Sequence, residues 1–293
     1  MRKAVVVAAG HGTRFLPITR VVPKELLPVL ARPALDLVLD ELVRAGFTDL
    51  LLVGSARKQA LERWLVRDPE LDRALAARPA LAPLLEPPAL RARVVHQARM
   101  GGTGDAILHA RDFAGDDAVL VVFPDDLFDP RGPNPSGEVW SAHEATGHAV
   151  LGAVDLTGRD VSAYGVIDAI GDGPVRPVRG IVEKPAPGAE PSHLVSVGRY
   201  VYTPALLDAL ARSAAHHGEG ELYPMAAMTE VADQGALSTA VLTGRRWDTG
   251  TPLGLLEATL DLALDDPDTA EAVAGLLHAR ADRAARILGR GQG

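Results

Sequence analysis

Hydrophobic residues along the first 126 positions follow two alternating rhythms. Ala4–Ala8 and Asp49–Gly54 are short apolar runs, the pattern of strands buried on both faces of a parallel sheet. Between them Pro33–Ala45 carries apolar residues at helical spacing through Leu35, Leu37, Val38, Leu42 and Val43, and Gly46 stops it. Arg57–Leu65 predicts a second helix, Arg93–His96 a strand, Thr103–Asp112 a helix, and Ala118–Phe123 a strand that ends at Pro124-Asp125-Asp126. This alternation predicts an α/β fold with a doubly wound, mixed but mostly parallel sheet. The stretch Arg67–Arg93 is Ala/Leu-rich yet broken by Pro69, Pro79, Pro83, Pro87 and Pro88. Its apolar content predicts an excursion of short helices rather than a linker.

After Asp126 the rhythm changes. Strands are predicted at Ala149–Asp155, Gly165–Ala169, Gly180–Glu183, Val195–Tyr202 and Leu237–Leu242, with a turn-rich loop at Pro187–Pro191. Helices are predicted at Pro204–Leu210, Leu253–Leu264 and Thr269–Leu288. The last, Ala/Arg-rich and extending towards Arg290, offers Leu276, Leu277, Ile287 and Leu288 for packing. No internal repeat or low-complexity tract interrupts the chain. One domain over 1–293 is the economical reading, in three parts: about 1–126, 127–252, and C-terminal helices over 253–293.

Composition narrows the function classes. There is no cysteine among the 293 residues, which excludes a disulfide scaffold, a Cys nucleophile and a thiolate metal site. Thirty Lys and Arg against 38 Asp and Glu give a net charge of −8, unlike a protein that lives on nucleic-acid phosphates. No apolar run approaches the roughly 18–20 residues a membrane span needs. The basic start Met1-Arg2-Lys3 leads through a short apolar run into a glycine turn, so it reads as a strand and not a signal peptide. A cytoplasmic location is expected.

The chemistry gathers in a few motifs. Ala8-Ala9-Gly10-His11-Gly12-Thr13-Arg14 follows the first strand, and consecutive amides in such a turn form an anion nest. It lacks the third glycine of a dinucleotide fingerprint and the Gly-Lys-Ser/Thr of a P-loop. Arg14 and Lys24, ten residues apart, suit a polyphosphate. Asp125 stands at the end of a strand, where open sheets place their ligands. The histidines show no ligand spacing; His216-His217 lie in a polar loop. No Ser-His-Asp order stands out.

These residues resemble the nucleotidyltransferase family of sugar-nucleotide pyrophosphorylases, over about Lys3 to Ala263. The landmarks run in family order: Gly10-His11-Gly12-Thr13-Arg14-Phe15-Leu16-Pro17, Pro23-Lys24-Glu25-Leu26-Leu27-Pro28, Gln97 before Gly102-Thr103-Gly104, Phe123-Pro124-Asp125-Asp126, Tyr164-Gly165-Val166, Val182-Glu183-Lys184-Pro185, Val197-Gly198-Arg199-Tyr200, and Trp247-Asp248-Thr249-Gly250-Thr251. The excursion at Arg67–Arg93 favours the uridylyl branch. The resemblance implies a Rossmann-like nucleotidyltransferase fold, with a nucleotide-binding half to about residue 126 and a sugar-binding half over 127–252. It implies transfer from an NTP, UTP foremost, to a sugar 1-phosphate, glucose 1-phosphate foremost, releasing pyrophosphate. Arg14 and Lys24 would be the catalytic cations. Ala8, Ala9, Gly10, Gly12, Thr13, Gln97 and Gly102 would bind the nucleotide, Gln97 reading a pyrimidine edge through its amide. Tyr164, Gly165, Glu183, Lys184 and Gly198 would bind the sugar phosphate. Asp125 and Asp248 would hold Mg²⁺, with Asp126 behind them; Arg199 and Tyr200 would pack rather than touch substrate. A homo-oligomer, dimer or tetramer, is expected, with no nucleic-acid or membrane partner.

Three departures bear on substrate choice. Gly101 stands where uridylyl enzymes usually carry lysine, and Asp105 follows Gly102-Thr103-Gly104. Glu221-Leu222-Tyr223-Pro224-Met225 replaces the family's Glu-Ile-Gln-Leu-Thr, so a polar Thr-Asp becomes Met225-Ala226. Trp247-Asp248-Thr249-Gly250-Thr251-Pro252 is closer to the thymidylyl branch. Another NTP (dTTP, ATP, GTP or CTP), or an unusual sugar of a secondary-metabolite pathway, stays open. So do a metal-dependent glycosyltransferase, which needs no triphosphate cradle, and a non-catalytic paralogue, which would not need Asp125, Asp248, Lys24 and Lys184.

Overall fold

The apolar runs become strands in a computed structural model that describes residues Met1–Gly289. In chain order the strands are β1 (Arg2–Val7), β2 (Pro28–Val29), β3 (Arg32–Pro33), β4 (Phe47–Gly54), β5 (Arg91–His96), β6 (Val119–Val122), β7 (Asp126–Phe128), β8 (Ala149–Asp155), β9 (Gly165–Ala169), β10 (Val175–Glu183), β11 (Leu194–Tyr202), β12 (Leu237–Val241) and β13 (Arg246–Asp248). Nine of them form one sheet in the order β5-β4-β1-β6-β11-β8-β12-β10-β9. β2–β3 and β7–β13 are separate two-stranded ribbons.

The expectation of a mostly parallel sheet is corrected. The pairs β5–β4, β4–β1, β1–β6 and β8–β12 are parallel. The pairs β6–β11, β11–β8, β12–β10 and β10–β9 are antiparallel. The first half is wholly parallel because helices return the chain between its strands. In the second half β9 and β10 are joined by a short turn, which only an antiparallel pair accepts.

Helices cover both faces, and the alternation of side chains divides the core accordingly. Ala4, Val6, Leu50 and Leu52 pack under the helices Ala34–Arg44, Pro135–Thr146 and Pro252–Asp265. Val5, Val7, Leu51 and Val53 face the other way, under Gly102–Leu108, Ala110–Ala114, Pro204–Ala215 and Met225–Asp233. The helix predicted over Thr103–Asp112 is therefore two, and those at Pro135–Thr146 and Met225–Asp233 were not predicted.

The excursion does fold as short helices, Pro69–Leu75 and the 3-10 turn Pro79–Leu85, but neither buries a residue. Leu71 and Leu84 are exposed, Leu75, Leu81 and Leu85 are half-buried, and of its leucines Leu90 packs against the core. The single C-terminal helix expected from Thr269 breaks at Ala279-Arg280 into Ala270–His278 and Ala281–Gly289. Leu276, Leu277, Ile287 and Leu288 are exposed there rather than packed. The last part of the expected 253–293 span, residues 290–293, lies outside the described residues. Among the described residues no helix is long and apolar enough to cross a membrane.

Candidate active site

The C-terminal ends of β1, β4, β5 and β6 lie side by side, and the loops leaving them carry most of the predicted site. Ala8 and Ala9 are buried, while His11, Thr13 and Arg14 reach the surface. Gly12 turns the chain with φ +66°; a Cβ there would sit 3.0 Å from Thr19 Cγ2 and 3.3 Å from Lys24 Cβ. Glycine is thus required by both conformation and space. Thr19 Oγ1 donates to the Gly12 carbonyl at 2.8 Å, tying the loop to the segment that leads to Lys24. The Arg14 guanidinium makes no ion pair among the described residues and stands free for an anion.

Lys24 and Asp125 meet. Lys24 Nζ donates to Asp125 Oδ2 at 2.6 Å. Burial works to lower the lysine's pKa, but the Asp125 carboxylate more than offsets it and the pKa is raised. Burial likewise pushes Asp125 up, and the Lys24 charge outweighs it, holding the carboxyl below its ordinary range. Both groups are charged at neutral pH.

Asp248 reaches the same point through the β7–β13 ribbon, in which Asp248 pairs with Asp126. Thr249 donates its N–H and its hydroxyl to the Asp125 carbonyl, at 2.8 and 2.9 Å, and clamps the two loops together. A Cβ placed on Gly250 would lie 3.0 Å from Asp248 Oδ1 and 3.1 Å from Asp125 Oδ2, so the two carboxylates converge on one spot. No group of three or more His, Cys, Asp or Glu gathers among the described residues. Two converging carboxylates fit a hard divalent cation that completes its shell with water and phosphate oxygens, as Mg²⁺ does.

Asp126 turns the other way. Its Oδ2 accepts from the Gly198 N–H at 2.8 Å, and its Oδ1 accepts from Arg246. Beneath it lies Arg199, fully buried. Its Nε and Nη2 donate to the two carboxylate oxygens of Glu41, each at 2.7 Å. Its remaining N–H groups bond the carbonyls of Gly198, Asp126 and Phe123 at 2.9, 3.0 and 3.3 Å. Ser136 also donates to Glu41. Arg199 therefore packs, and it fixes the Phe123–Asp126 loop from below.

Gln97 is buried, and its Nε2 donates to the Gly102 carbonyl at 3.1 Å and to Asp105 Oδ2 at 2.7 Å. Both amide hydrogens are spent, so the side chain offers a base only its Oε1 acceptor, not the donor and acceptor pair expected. Gly102 has φ +89°, and a Cβ there would come within 2.6 Å of the Leu222 carbonyl. Leu222 clasps the turn, donating to the Gly101 carbonyl at 2.7 Å and accepting from the Gly104 N–H at 2.8 Å. The glycines are thus explained by backbone packing against the Glu221–Leu222 segment.

A cavity of about 540 Å³ opens beside Asp125. Gly165, Glu183, Lys184 and Gly198 line it, with Thr103, Tyr200, Tyr223 and Met225. Lys184 is exposed, lies 3.9 Å from Glu183, and holds φ +48°, a left-handed conformation that costs a lysine about 1–3 kcal/mol and that clusters at functional sites. Its N–H bonds the Tyr164 carbonyl at 3.0 Å. Tyr164 does not line the cavity; its ring faces the Arg246 guanidinium at 5.8 Å.

One pair escaped the sequence reading. Lys58, buried, donates to both Glu25 carboxylate oxygens at 2.8 and 2.9 Å and to the Ala8 carbonyl at 2.6 Å. It joins the first glycine loop to the Lys24 segment. A lysine 33 residues from its partner leaves no local signal. The Asn134-Pro135 start and Gly147 stop of the missed helix were local signals, since Asn134 Oδ1 accepts from the Gly137 N–H at 2.9 Å and Gly147 has φ +72°.

Residues 3–264 match the nucleotidyl transferase family. The chain is 33% identical over 277 residues to a UTP–glucose-1-phosphate uridylyltransferase of Staphylococcus epidermidis, covering 92% of this chain and 95% of that one. It superposes on a UTP-bound UGPase from Acinetobacter baumannii with a TM-score of 0.86 at 29% identity, covering 94% of this chain and 98% of that one. A UDP-glucose pyrophosphorylase complexed with UDP-glucose aligns with a TM-score of 0.79 at 27% identity, over 91% of this chain and 100% of the other.

Proposed function

The chain belongs to the nucleotidyl transferase family, and from that premise we propose that it transfers the uridylyl group of UTP to glucose 1-phosphate, forming UDP-glucose and pyrophosphate. The observation that carries this reading is the convergence of Asp125 and Asp248 next to Lys24, between the glycine loop and the cavity. A triphosphate on the loop and a sugar phosphate in the cavity would meet there.

The sugar phosphate oxygen attacks the α-phosphorus; the bond from that phosphorus to the α,β-bridging oxygen breaks, and pyrophosphate leaves. The attacking oxygen is already ionised at pH 7, so no side chain need remove a proton. Catalysis rests on alignment and charge neutralisation. Arg14 and Lys24 hold the triphosphate, and backbone groups of Ala8, Ala9, Gly10, Gly12 and Thr13 surround it. Gln97 Oε1 accepts from the imide N–H of uracil, beside Gly102. Glu183 accepts from sugar hydroxyls, Lys184 meets the sugar phosphate, Gly165 and Gly198 shape the pocket, and Tyr164 acts only through its carbonyl, which holds the Lys184 backbone. Asp125 and Asp248 would hold a divalent cation, Mg²⁺ the expected one, which supplies positive charge at the α-phosphate. The exposed leucines of the C-terminal helices support assembly as a homo-oligomer.

The test is pyrophosphate release from each of UTP, dTTP, ATP, GTP and CTP against several sugar 1-phosphates. The highest kcat/KM is expected with UTP and glucose 1-phosphate. A preference for ATP or GTP would overturn the uridylyl assignment.

A further inference from the structure

Gln97 follows the last residue of β5, and its backbone N–H donates to the Gly54 carbonyl at the end of β4, at 2.9 Å. The first glycine loop starts beside it, since the Ala8 N–H donates to the Val53 carbonyl at 2.8 Å. The Gln97 side chain stands between two groups that can only accept. Its Nε2 is 3.1 Å from the Gly102 carbonyl and 2.7 Å from Asp105 Oδ2. Neither a carbonyl nor a carboxylate has a hydrogen to give, so the amide must turn its NH2 to both. A flipped amide would set its oxygen against two acceptors. The Oε1 is left over. It is not among the enclosed side-chain atoms that lack a partner in the described residues, which are Glu138 Oε2, His193 Nδ1 and the Tyr202 hydroxyl. The acceptor therefore keeps accessible surface at the sheet edge from which the glycine loop leaves. Asp105 is itself held in place. It lies in the first turn of the helix Gly102–Leu108, where a carboxylate is favoured by the backbone dipoles. Gly101 makes room for it: a Cβ there would lie 2.6 Å from Asp105 Cγ and 2.8 Å from Oδ2.

We propose that Asp105 is a positioning residue that locks the Gln97 amide with its oxygen left for the base, and so makes the nucleotide site reject CTP. This rests on the reading of Gln97 as the group that meets the base. Uracil presents an N–H at N3, which the fixed oxygen accepts. Cytosine presents a lone pair at N3, so two acceptors face each other and both stay unpaired. A free amide would turn its NH2 to cytosine; the lock forbids that turn. Thymine carries the same N3–H as uracil, so the lock does not separate UTP from dTTP.

The test is Asp105→Asn, which keeps the shape of the side chain but can donate as well as accept, so that either amide orientation finds a partner. kcat/KM is measured for UTP, dTTP and CTP with saturating glucose 1-phosphate. The ratio of UTP to CTP should fall about three- to tenfold, the range of one neutral hydrogen bond. The ratio of UTP to dTTP and the KM for glucose 1-phosphate should hold. A merely structural loss would lower all three nucleotides together and leave both ratios unchanged. An unchanged ratio of UTP to CTP overturns the proposal, as does a ratio of UTP to dTTP that falls with it. Should the wild type transfer no uridylyl group, the proposed reaction fails. Calorimetric titration with UTP and with CTP then decides for Asp105 by a Kd ratio that narrows in the variant, and against it by an unchanged ratio or no binding.

Discussion

Asp125, Asp248 and Lys24 carry the account at the scale of single residues, because their charges converge from segments more than 100 positions apart. Asp248→Asn should lower kcat by at least about 10²-fold, the scale lost with one key electrostatic stabiliser, with the fold intact by circular dichroism. Full turnover by that variant, or in metal-free buffer, would remove the metal assignment. The two lysines should separate. Lys184→Ala should raise KM for the sugar 1-phosphate and leave UTP affinity within a few-fold, while Lys24→Ala should weaken transfer from the triphosphate side. Equal losses for both substrates from both variants would mean the subsites are misassigned. These residues were legible in the sequence because each sits in a short motif. Their buried supports were not: Glu25–Lys58 and Glu41–Arg199 join residues 33 and 158 positions apart, and only the fold brings them together.

Elements explain how such supports act. The helix Ala34–Arg44 contributes Glu41 and β11 contributes Arg199, and together they hold the loop after β6 on which Asp125 stands. Arg199→Met should cost about 3–5 kcal/mol in urea unfolding, because Glu41 is left buried and uncompensated. Adding Glu41→Leu should recover much of that stability but not the activity, since the carbonyls of Phe123 and Asp126 still lack their donor. At the sheet edge, Asp49 of β4 faces Arg91 of β5 in register, with contacts of 2.8 and 2.9 Å. The hydrogen bonds from Arg91 lower the Asp49 pKa from 3.8 to about 2. The pKa is depressed in the folded state, so the pair stabilises above pH 3.8 and loses its contribution as pH falls towards 2. Urea midpoints of wild type and Arg91→Ala should differ above pH 3.8 and converge as pH falls through 2; a gap undiminished at pH 2 contradicts the pairing. Strand β5 offered only Val94-Val95 between Arg93 and His96, whereas β1, β4 and β6 were readable because each holds a run of apolar residues. The helix Pro135–Thr146 was not, since its buried Val139, Trp140 and Ala142 sit among Ser, Gly, His and Thr with little amphipathic contrast.

The molecule as a whole sets a parallel half against an antiparallel one, and the candidate site lies where β6 meets β11 across that change of direction. Open sheets place ligands beyond the strand ends at such switch points. The order of motifs along the chain was legible in the sequence; the mixed sheet was not, because strand direction depends on connections whose length alone does not fix it. The central claim is that one site moves an intact uridylyl group between two substrates. The most direct measurement uses UTP labelled at the α-phosphorus or at the γ-phosphorus, with glucose 1-phosphate and Mg²⁺. The account predicts all transferred α-label in UDP-glucose, all γ-label in pyrophosphate, one of each per turnover, and no release without the sugar phosphate. Label appearing as inorganic phosphate, or γ-label in a sugar product, would contradict it.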